Sequence, residues 1–310
     1  MKKQLVVQGR LSDAQLAELS GLFEVEVLPK TTALNDPANH ALLANVHGII
    51  GSGLAITPQL LDAAPKLKVI ATISVGYDNI PVDELTKRGI MLCNTPDVLT
   101  ETTADTGFTL IMADKWQASI GPALFGSDVH GKTLGMVGFG RIGQAVARRG
   151  ALGFGMKVIY SNASPKPELE SELGAQRREL NELLAEADFV CVTVPLTAET
   201  ERLVGAQEFA LMKPSGIFIN IARGKVVDES ALIDALENGV IQAAGLDVFE
   251  QEPLRATSPL TKMPNVVALP HIGSATHETR DAMAQRAVNN IRLALQGERP
   301  ISLVNEEACR

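Results

Sequence analysis

The sequence predicts an α/β fold made of two parallel-sheet domains, and three observations carry that prediction. The chain has 310 residues, and at roughly 150 residues per domain this suggests two. Short apolar, β-branched runs alternate with helical patterns almost throughout, as in βαβ units. The alternation restarts at Thr133–Val137, where a strand-like run leads into a glycine-rich turn and a helix.

The elements follow in order. Leu5–Val7 reads as a strand, and Ser12-Asp13-Ala14-Gln15 is a capping box that opens a helix to about Leu19. Val25–Leu28 and Gly48–Gly51 are strand-like. Pro58–Ala64 is a helix with Thr57 at its N-cap. Val69–Ile73 is a strand, Val82–Arg88 a helix closed by Gly89, and Ile90–Cys93 a strand. Beyond Thr133–Val137, the strands are Lys157–Tyr160, Phe189–Val194, Ile217–Ile221, Ala243–Asp247 and Val266–Leu269. Phe189–Val194 is a near-continuous apolar run, broken by Thr193 alone, as a strand covered on both faces requires. Leu180–Ala185 is helical. A helix from about Glu229 ends at Asn238-Gly239, and a long one over Thr276–Gln296 is followed by Gly297. The second unit is therefore inserted between the first and the closing helix.

Composition narrows the function classes. The formal net charge is −8, from 28 Lys plus Arg against 36 Asp plus Glu. An acidic chain lacks the basic footprint of a nucleic-acid binder and is not drawn to an anionic membrane surface. Cys93, Cys191 and Cys309 form no CxxC pair, so neither a disulfide framework nor a zinc site is expected, nor any other metal. Cys93 and Cys191 sit in apolar surroundings and read as small core residues. The N-terminus has too short an apolar stretch for a signal peptide, and no apolar run approaches a membrane span. A cytoplasmic protein is the expectation.

Two constellations carry chemistry. Gly138-Phe-Gly140-Arg141-Ile142-Gly143 lies between a strand and a helical stretch, the context a dinucleotide fingerprint requires. Its glycines allow a tight turn, close backbone approach to a pyrophosphate and helix–strand packing. The fingerprint of an NAD site expects an acid about 20 residues on, for the ribose 2′-hydroxyl. Here the next strand ends Tyr160-Ser161-Asn162-Ala163-Ser164, with no acid before Glu168 and no Arg in the stretch. Ser161, Asn162 and Ser164 could donate to a 2′-phosphate, so the sequence favours NADP(H), with NAD(H) also open.

The second constellation is Asn220-Ile221-Ala222-Arg223-Gly224, Asp247 to Glu252-Pro253, and Pro270-His271-Ile-Gly273. Each piece follows a predicted strand, and in open α/β sheets ligands bind outside the carboxyl ends of the strands. Arg223 suits a carboxylate and His271 can exchange a proton near neutral pH. Glu252 would stabilise the imidazolium of His271. Taken singly, the Arg would be a surface charge and the His a loop residue. Together, downstream of the fingerprint, they point to one site. His40, His47 and His130 read as surface or packing residues, and His277 as one that could approach that site.

These residues resemble the D-isomer-specific 2-hydroxyacid dehydrogenase family, over nearly the whole chain. Gly51-Ser-Gly53-Leu54, Ser74-Val75-Gly76-Tyr77-Asp78-Asn79, Thr95-Pro96, Glu101-Thr-Thr103-Ala-Asp105, the fingerprint and all three later segments carry the likeness. Within the family, the chain looks most like the glyoxylate/hydroxypyruvate and 2-ketogluconate reductase branch. The resemblance implies two Rossmann-like or flavodoxin-like domains with a cleft between them. The substrate domain would be discontinuous, residues 1–97 plus 275–310, and the dinucleotide domain would be 98–274. His271 would be the acid/base, Glu252 its partner and Arg223 the substrate-binding cation. The N–H groups of Val75 and Gly76 would hold the substrate carboxylate, with Leu54, Tyr77 and Trp116 around the pocket. Thr103, Arg141, Ile142, Val194, Pro195, Thr200, Ile221, Ala222, Asp247, His271 and Gly273 would contact the cofactor, Asp247 at the nicotinamide carboxamide. The partner would be a small 2-keto or 2-hydroxy acid, and the assembly a homodimer.

Two departures stand out. NADP-using relatives carry an Arg where this chain has Ala163. The stretch from Ala104-Asp105 to Trp116 is shorter than in the family by a dozen or more residues, on the order of three to four helical turns. A corepressor-like NAD(H)-sensing protein, a phosphite- or formate-type dehydrogenase and an inactive scaffold remain as alternatives. Glu252 disfavours the formate type.

Overall fold

A computed structural model describes residues 2–9, 11–32, 34–112 and 128–309. The chain divides into two compact units, Met1–Leu99 with Thr276–Arg310, and Thr100–Ala275. Trp116 lies outside the described residues, as does the chain that follows Met112 in the stretch read as short.

The first unit contains strands β1 (Gln4–Gln8), β2 (Glu24–Leu28), β3 (Val46–Gly51), β4 (Val69–Thr72) and β5 (Met91–Cys93). Among the described residues they form one parallel sheet in the order β2-β1-β3-β4-β5, the flavodoxin-like order. Helices α1 (Asp13–Leu22), α2 (His40–Leu43), α3 (Pro58–Ala63), α4 (Val82–Lys87) and, much later in the chain, α11 (His277–Gln296) belong to this unit. Local chemistry sets their ends. Ser12 and Gln15 exchange the two hydrogen bonds of a capping box. The hydroxyls of Thr57 and Thr276 accept from Leu60 N–H and Thr279 N–H. Gly297 closes α11 in the left-handed region, at φ +85°, which costs glycine nothing. Along α11, Ala287, Val288, Ile291 and Leu295 join Leu5, Val7, Ile50 and Val69 in one core cluster. Each Leu or Ile so buried contributes about 1.5–3 kcal/mol.

The second unit contains α5 (Thr100–Met112), β6 (Thr133–Val137), α6 (Arg141–Arg148), β7 (Lys157–Ser161), α7 (Pro167–Leu173), β8 (Gln176–Arg177), α8 (Leu180–Glu186) and β9 (Phe189–Val192). It continues through α9 (Ala206–Leu211), β10 (Ile217–Asn220), α10 (Glu229–Glu237), β11 (Ala243–Leu246) and β12 (Val266–Ala268). Its described strands form a parallel sheet in the order β12-β11-β10-β9-β6-β7-β8. Numbered within the unit, that is the Rossmann order, with the reversal between β6 and β9. Two cores flank this sheet. One includes Ile159, Val190, Phe209 and Phe218, the other Leu134, Phe139, Tyr160 and Cys191. Gly135 and Gly150 let helices and strands approach closely: a Cβ on Gly135 would come within 2.7 Å of Leu183, and one on Gly150 within 2.9 Å of Leu134.

Several elements had no clear sequence signal. β8 is two residues long, α7 and α9 are short, and residues 149–153 form a π-helical turn after α6. Arg149 in that turn reaches back to α5, pairing with Glu101 at 2.8 Å and Asp105 at 2.7 Å. Cys93 and Cys191 are fully buried, and burial pushes both thiols up to about 12, so neither is a thiolate at neutral pH. His40 and His130 are exposed, and His47 is half-buried, its Nδ1 accepting from Gln4 N–H. No helix among the described residues is long and apolar enough to cross a membrane. No group of three or more His, Cys, Asp or Glu among them could hold a metal.

Candidate functional site

The carboxyl ends of β6, β9, β10, β11 and β12 carry the predicted residues of the second unit. After β6, Gly138 takes φ +93°, a region that L side chains rarely enter. A Cβ there would sit 2.9 Å from Val194 N, across the sheet's reversal point. A Cβ on Gly143 would lie 2.5 Å from the Gly138 carbonyl oxygen, which ties α6 to the turn before it. Above Gly140 the space is open, with no atom of the described residues within 4 Å of a Cβ built there. Gly140 is the N-cap of α6 and no side chain caps that helix. An open approach to a glycine at the uncapped start of a helix fits a pyrophosphate. The residues present therefore suit a dinucleotide.

The turn is braced from β7. Asn162 Oδ1 accepts from Phe139 N–H at 3.0 Å, and its Nδ2 donates to the Ser164 carbonyl at 2.8 Å. Asn162 thus shapes the loop in addition to standing near it. After β9, Thr200 spends its hydroxyl within its own turn. It donates to the Pro195 carbonyl at 2.6 Å and accepts from Thr197 N–H at 2.8 Å.

After β10, Asn220 holds the Arg223 loop from within. Its Oδ1 accepts from Ala222 N–H and its Nδ2 donates to the Arg223 carbonyl, each at 3.0 Å. The guanidinium of Arg223 donates to the Ala222 carbonyl at 2.7 Å. Ile221 and Ala222 are largely buried, and Ile221 packs against Gly107 of α5. Gly224 lies so close to the Phe249–Glu250 backbone that any Cβ would overlap it. Only glycine lets the Arg223 loop and the Glu252 loop lie side by side. Those loops are also cross-braced: Glu229 Oε2 accepts from Glu250 N–H at 3.0 Å, and Glu250 Oε1 accepts from Glu229 N–H at 3.5 Å.

Glu252 and His271 meet as expected, with His271 Nδ1 2.7 Å from Glu252 Oε2. The other carboxylate oxygen of Glu252 accepts from Phe249 N–H at 3.1 Å. Burial works to raise the Glu252 pKa. The hydrogen bonds from His271 and Phe249, with positive charge at His271 and Arg223, outweigh it and hold the group below its ordinary range. The imidazole is 47% exposed, and no described residue engages Nε2. His271 itself takes φ +55°, and Asp247 holds it there. The two carboxylate oxygens of Asp247 accept from Ile272 N–H at 2.7 Å and Gly273 N–H at 2.8 Å.

Asp247 is only 2% exposed, and burial raises its pKa against those two bonds. Its two backbone hydrogen bonds fix the loop of His271. Thr103, on α5, lies against Gly273: a Cβ there would be 3.3 Å from the Thr103 methyl and 3.1 Å from Asp247 Oδ2.

In the first unit, Val75 and Gly76 have both carbonyls engaged, by Asn94 Nδ2 at 2.9 Å and Ser74 Oγ at 2.6 Å. No described residue accepts from either N–H. Successive N–H groups can form an anion-binding concavity where the backbone turns them to one side. Leu54 contributes to the core of the first unit. Its side chain is buried in the core with Val6, Ile49 and Ile70, and its carbonyl accepts from Asn79. An apolar side chain beside a sheet gains more from that core than from a polar pocket wall. His277 is exposed at the start of α11.

Asn220, Gly224, Glu229 and Glu250 carry no role in the sequence reading. Asn220 and Gly224 flank Arg223 directly, and that adjacency was the available signal. The Glu229–Glu250 brace spans distant positions and leaves no local pattern.

Comparison with known proteins agrees with this geometry. Residues 104–273 match the model of the NAD binding domain of D-isomer specific 2-hydroxyacid dehydrogenases. The chain is 49% identical to a glyoxylate/hydroxypyruvate reductase B of Escherichia fergusonii, over all of both chains. That alignment runs to 324 positions against 310 residues here, so 14 or more positions of the relative have no counterpart. Among solved structures, a glyoxylate reductase from Paecilomyes thermophila superposes with a TM-score of 0.89 at 32% identity, covering 99% of each chain. An NADPH-dependent glyoxylate/hydroxypyruvate reductase from Sinorhizobium meliloti, in complex with NADP and malonate, gives 0.82 at 33% identity, covering 99% of this chain and 98% of that one.

Proposed function

Because the chain belongs to the D-isomer-specific 2-hydroxyacid dehydrogenase family, we propose that it is an NAD(P)H-dependent reductase of glyoxylate and hydroxypyruvate, with 2-ketogluconate as a larger substrate of the same class. The observation that carries the reading is the 2.7 Å His271–Glu252 pair on the same strand-end rim as Arg223. Bound nicotinamide supplies the hydride. His271 gives its Nε2 proton to the substrate oxygen, while Glu252 at Nδ1 keeps the ring oriented and stabilises its charged form. Arg223 binds the substrate carboxylate and draws charge from the developing alkoxide. In the first unit, the N–H groups of Val75 and Gly76 are the donors a carboxylate would take.

The second unit holds the dinucleotide and the first serves the substrate. NADP(H) is the preferred cofactor, since no acid follows β7 before Glu168. A homodimer in the cytoplasm completes the reading. The test is loss of reduced-cofactor absorbance with glyoxylate or hydroxypyruvate, run in parallel with NADPH and NADH. Oxidation with either is expected. A protein that binds the cofactor and oxidises it with no 2-keto acid would overturn the reductase reading and favour an NAD(H)-sensing role.

A further inference from the structure

We propose that Arg177, on the short edge strand β8, is the cation that receives the 2′-phosphate of NADP(H). The inference rests on the cofactor reading above. In this fold, the adenosine ribose lies beyond the carboxyl end of the strand that follows the glycine-rich turn, and an Arg nearby accommodates a 2′-phosphate. Here that strand is β7. The residues just after it, Asn162, Ala163 and Ser164, offer short polar groups but no charge.

Topology brings the charge from the neighbouring strand instead. β8 pairs in parallel with β7, with Arg177 opposite Tyr160. The Arg177 guanidinium donates from Nη2 to the Asn162 carbonyl at 3.1 Å. That places it on the residue that also braces the glycine-rich turn through Phe139 N–H.

A contrast with its neighbour separates this Arg from a structural one. Its neighbour Arg178 is held by Glu186 at 3.0 Å and donates to Gln176, whereas no ion pair among the described residues engages Arg177. A guanidinium has five N–H donors, and one bond to a carbonyl leaves the others for a phosphate. Glu170 accepts from the Tyr160 hydroxyl at 2.5 Å and makes no ion pair with Arg177. The exposed setting suits a ligand that arrives from solvent, and a bidentate Arg–phosphate contact is among the stronger polar interactions.

The test compares wild type with Arg177→Gln. The ratio of kcat/KM for NADPH to that for NADH should fall by about ten- to a hundredfold, the effect of one charge-assisted contact. Calorimetry with adenosine 2′,5′-bisphosphate and with AMP gives a readout independent of turnover. Wild type should favour the bisphosphate, and the variant should lose that preference. A merely structural role would weaken both ligands together and leave the preference intact, which would overturn the proposal. A wild-type protein without preference for the bisphosphate would overturn it too, while the reductase reading would survive on turnover with NADH. Conversely, a preference that depends on Arg177 in a protein that reduces no 2-keto acid would sustain this proposal and sink that reading.

Discussion

After β6 the chain presents bare backbone, through Gly138, Gly140 and Gly143. After β10, β11 and β12 of the same sheet it presents charged side chains, Arg223, Glu252 and His271. The first loop is defined by what does not fit: a Cβ at Gly143 would come within 2.5 Å of the Gly138 carbonyl. The second is defined by what is bonded, with Asp247 accepting from two backbone N–H groups and Glu252 from Phe249 and His271. A site made of backbone should resist pH and fail on added volume. A site made of side chains should fail on lost protons or lost partners. Gly224 joins the two classes, since a steric requirement there sets the distance between two charged loops.

The largest expected effect lies in the side-chain site. His271→Ala should lower turnover by about two to four orders of magnitude, the usual contribution of a general acid. Steady-state kinetics at saturating cofactor would check it, and turnover near wild type would remove His271 from the mechanism. Next, Gly224→Ala should cost about a hundredfold in kcat/KM by displacing Arg223 from Glu252. Equal kinetics would mean the loops need not lie side by side.

Gly140→Ala sharpens the contrast. The space above Gly140 is open, so its thermal midpoint should stay close to wild type while cofactor affinity drops about tenfold or more. A lowered midpoint with unchanged affinity would contradict the backbone reading of that loop. The smallest effect is in pH. The Glu252 pKa is depressed in the fold, so its stabilisation is present above the ordinary carboxylate value and is lost as pH falls through the lower, folded value. The midpoint difference between wild type and Glu252→Gln should therefore be present at neutral pH and shrink in acid below about pH 4.5. A difference that grows on acidification would reverse the sign.

Much of this was legible because the signals are local. Ser12, Thr57 and Thr276 announce helix starts, and Gly89 and Gly297 announce ends, because capping and left-handed backbone depend on neighbours in sequence. Strand ends ran a residue or two long at Ile73, Val194 and Leu269, where the apolar run outlasts the ladder. The order of Arg223, Glu252 and His271 was readable, and their approach followed from the rule that ligands gather at strand carboxyl ends. A motif position such as Leu54 says nothing of which way the side chain turns, and this one turns into the core. The backbone partners of Asp247 lie 25 and 26 residues on. Such pairings are made by tertiary packing and have no period to find.

The discontinuity of the first unit has a consequence for how the chain is made. Thr100–Ala275 is continuous, so every residue of its sheet has been synthesised before α11 begins. The first unit is translated earliest yet lacks Ala287, Val288, Ile291 and Leu295 until α11 arrives to cover β3 and β4. Vectorial synthesis thus reverses the order in which the units can mature, with the leading segment waiting for the trailing one. A released chain that stops after Ala275 should carry a protease-resistant core starting near Thr100 and an unprotected N-terminal segment.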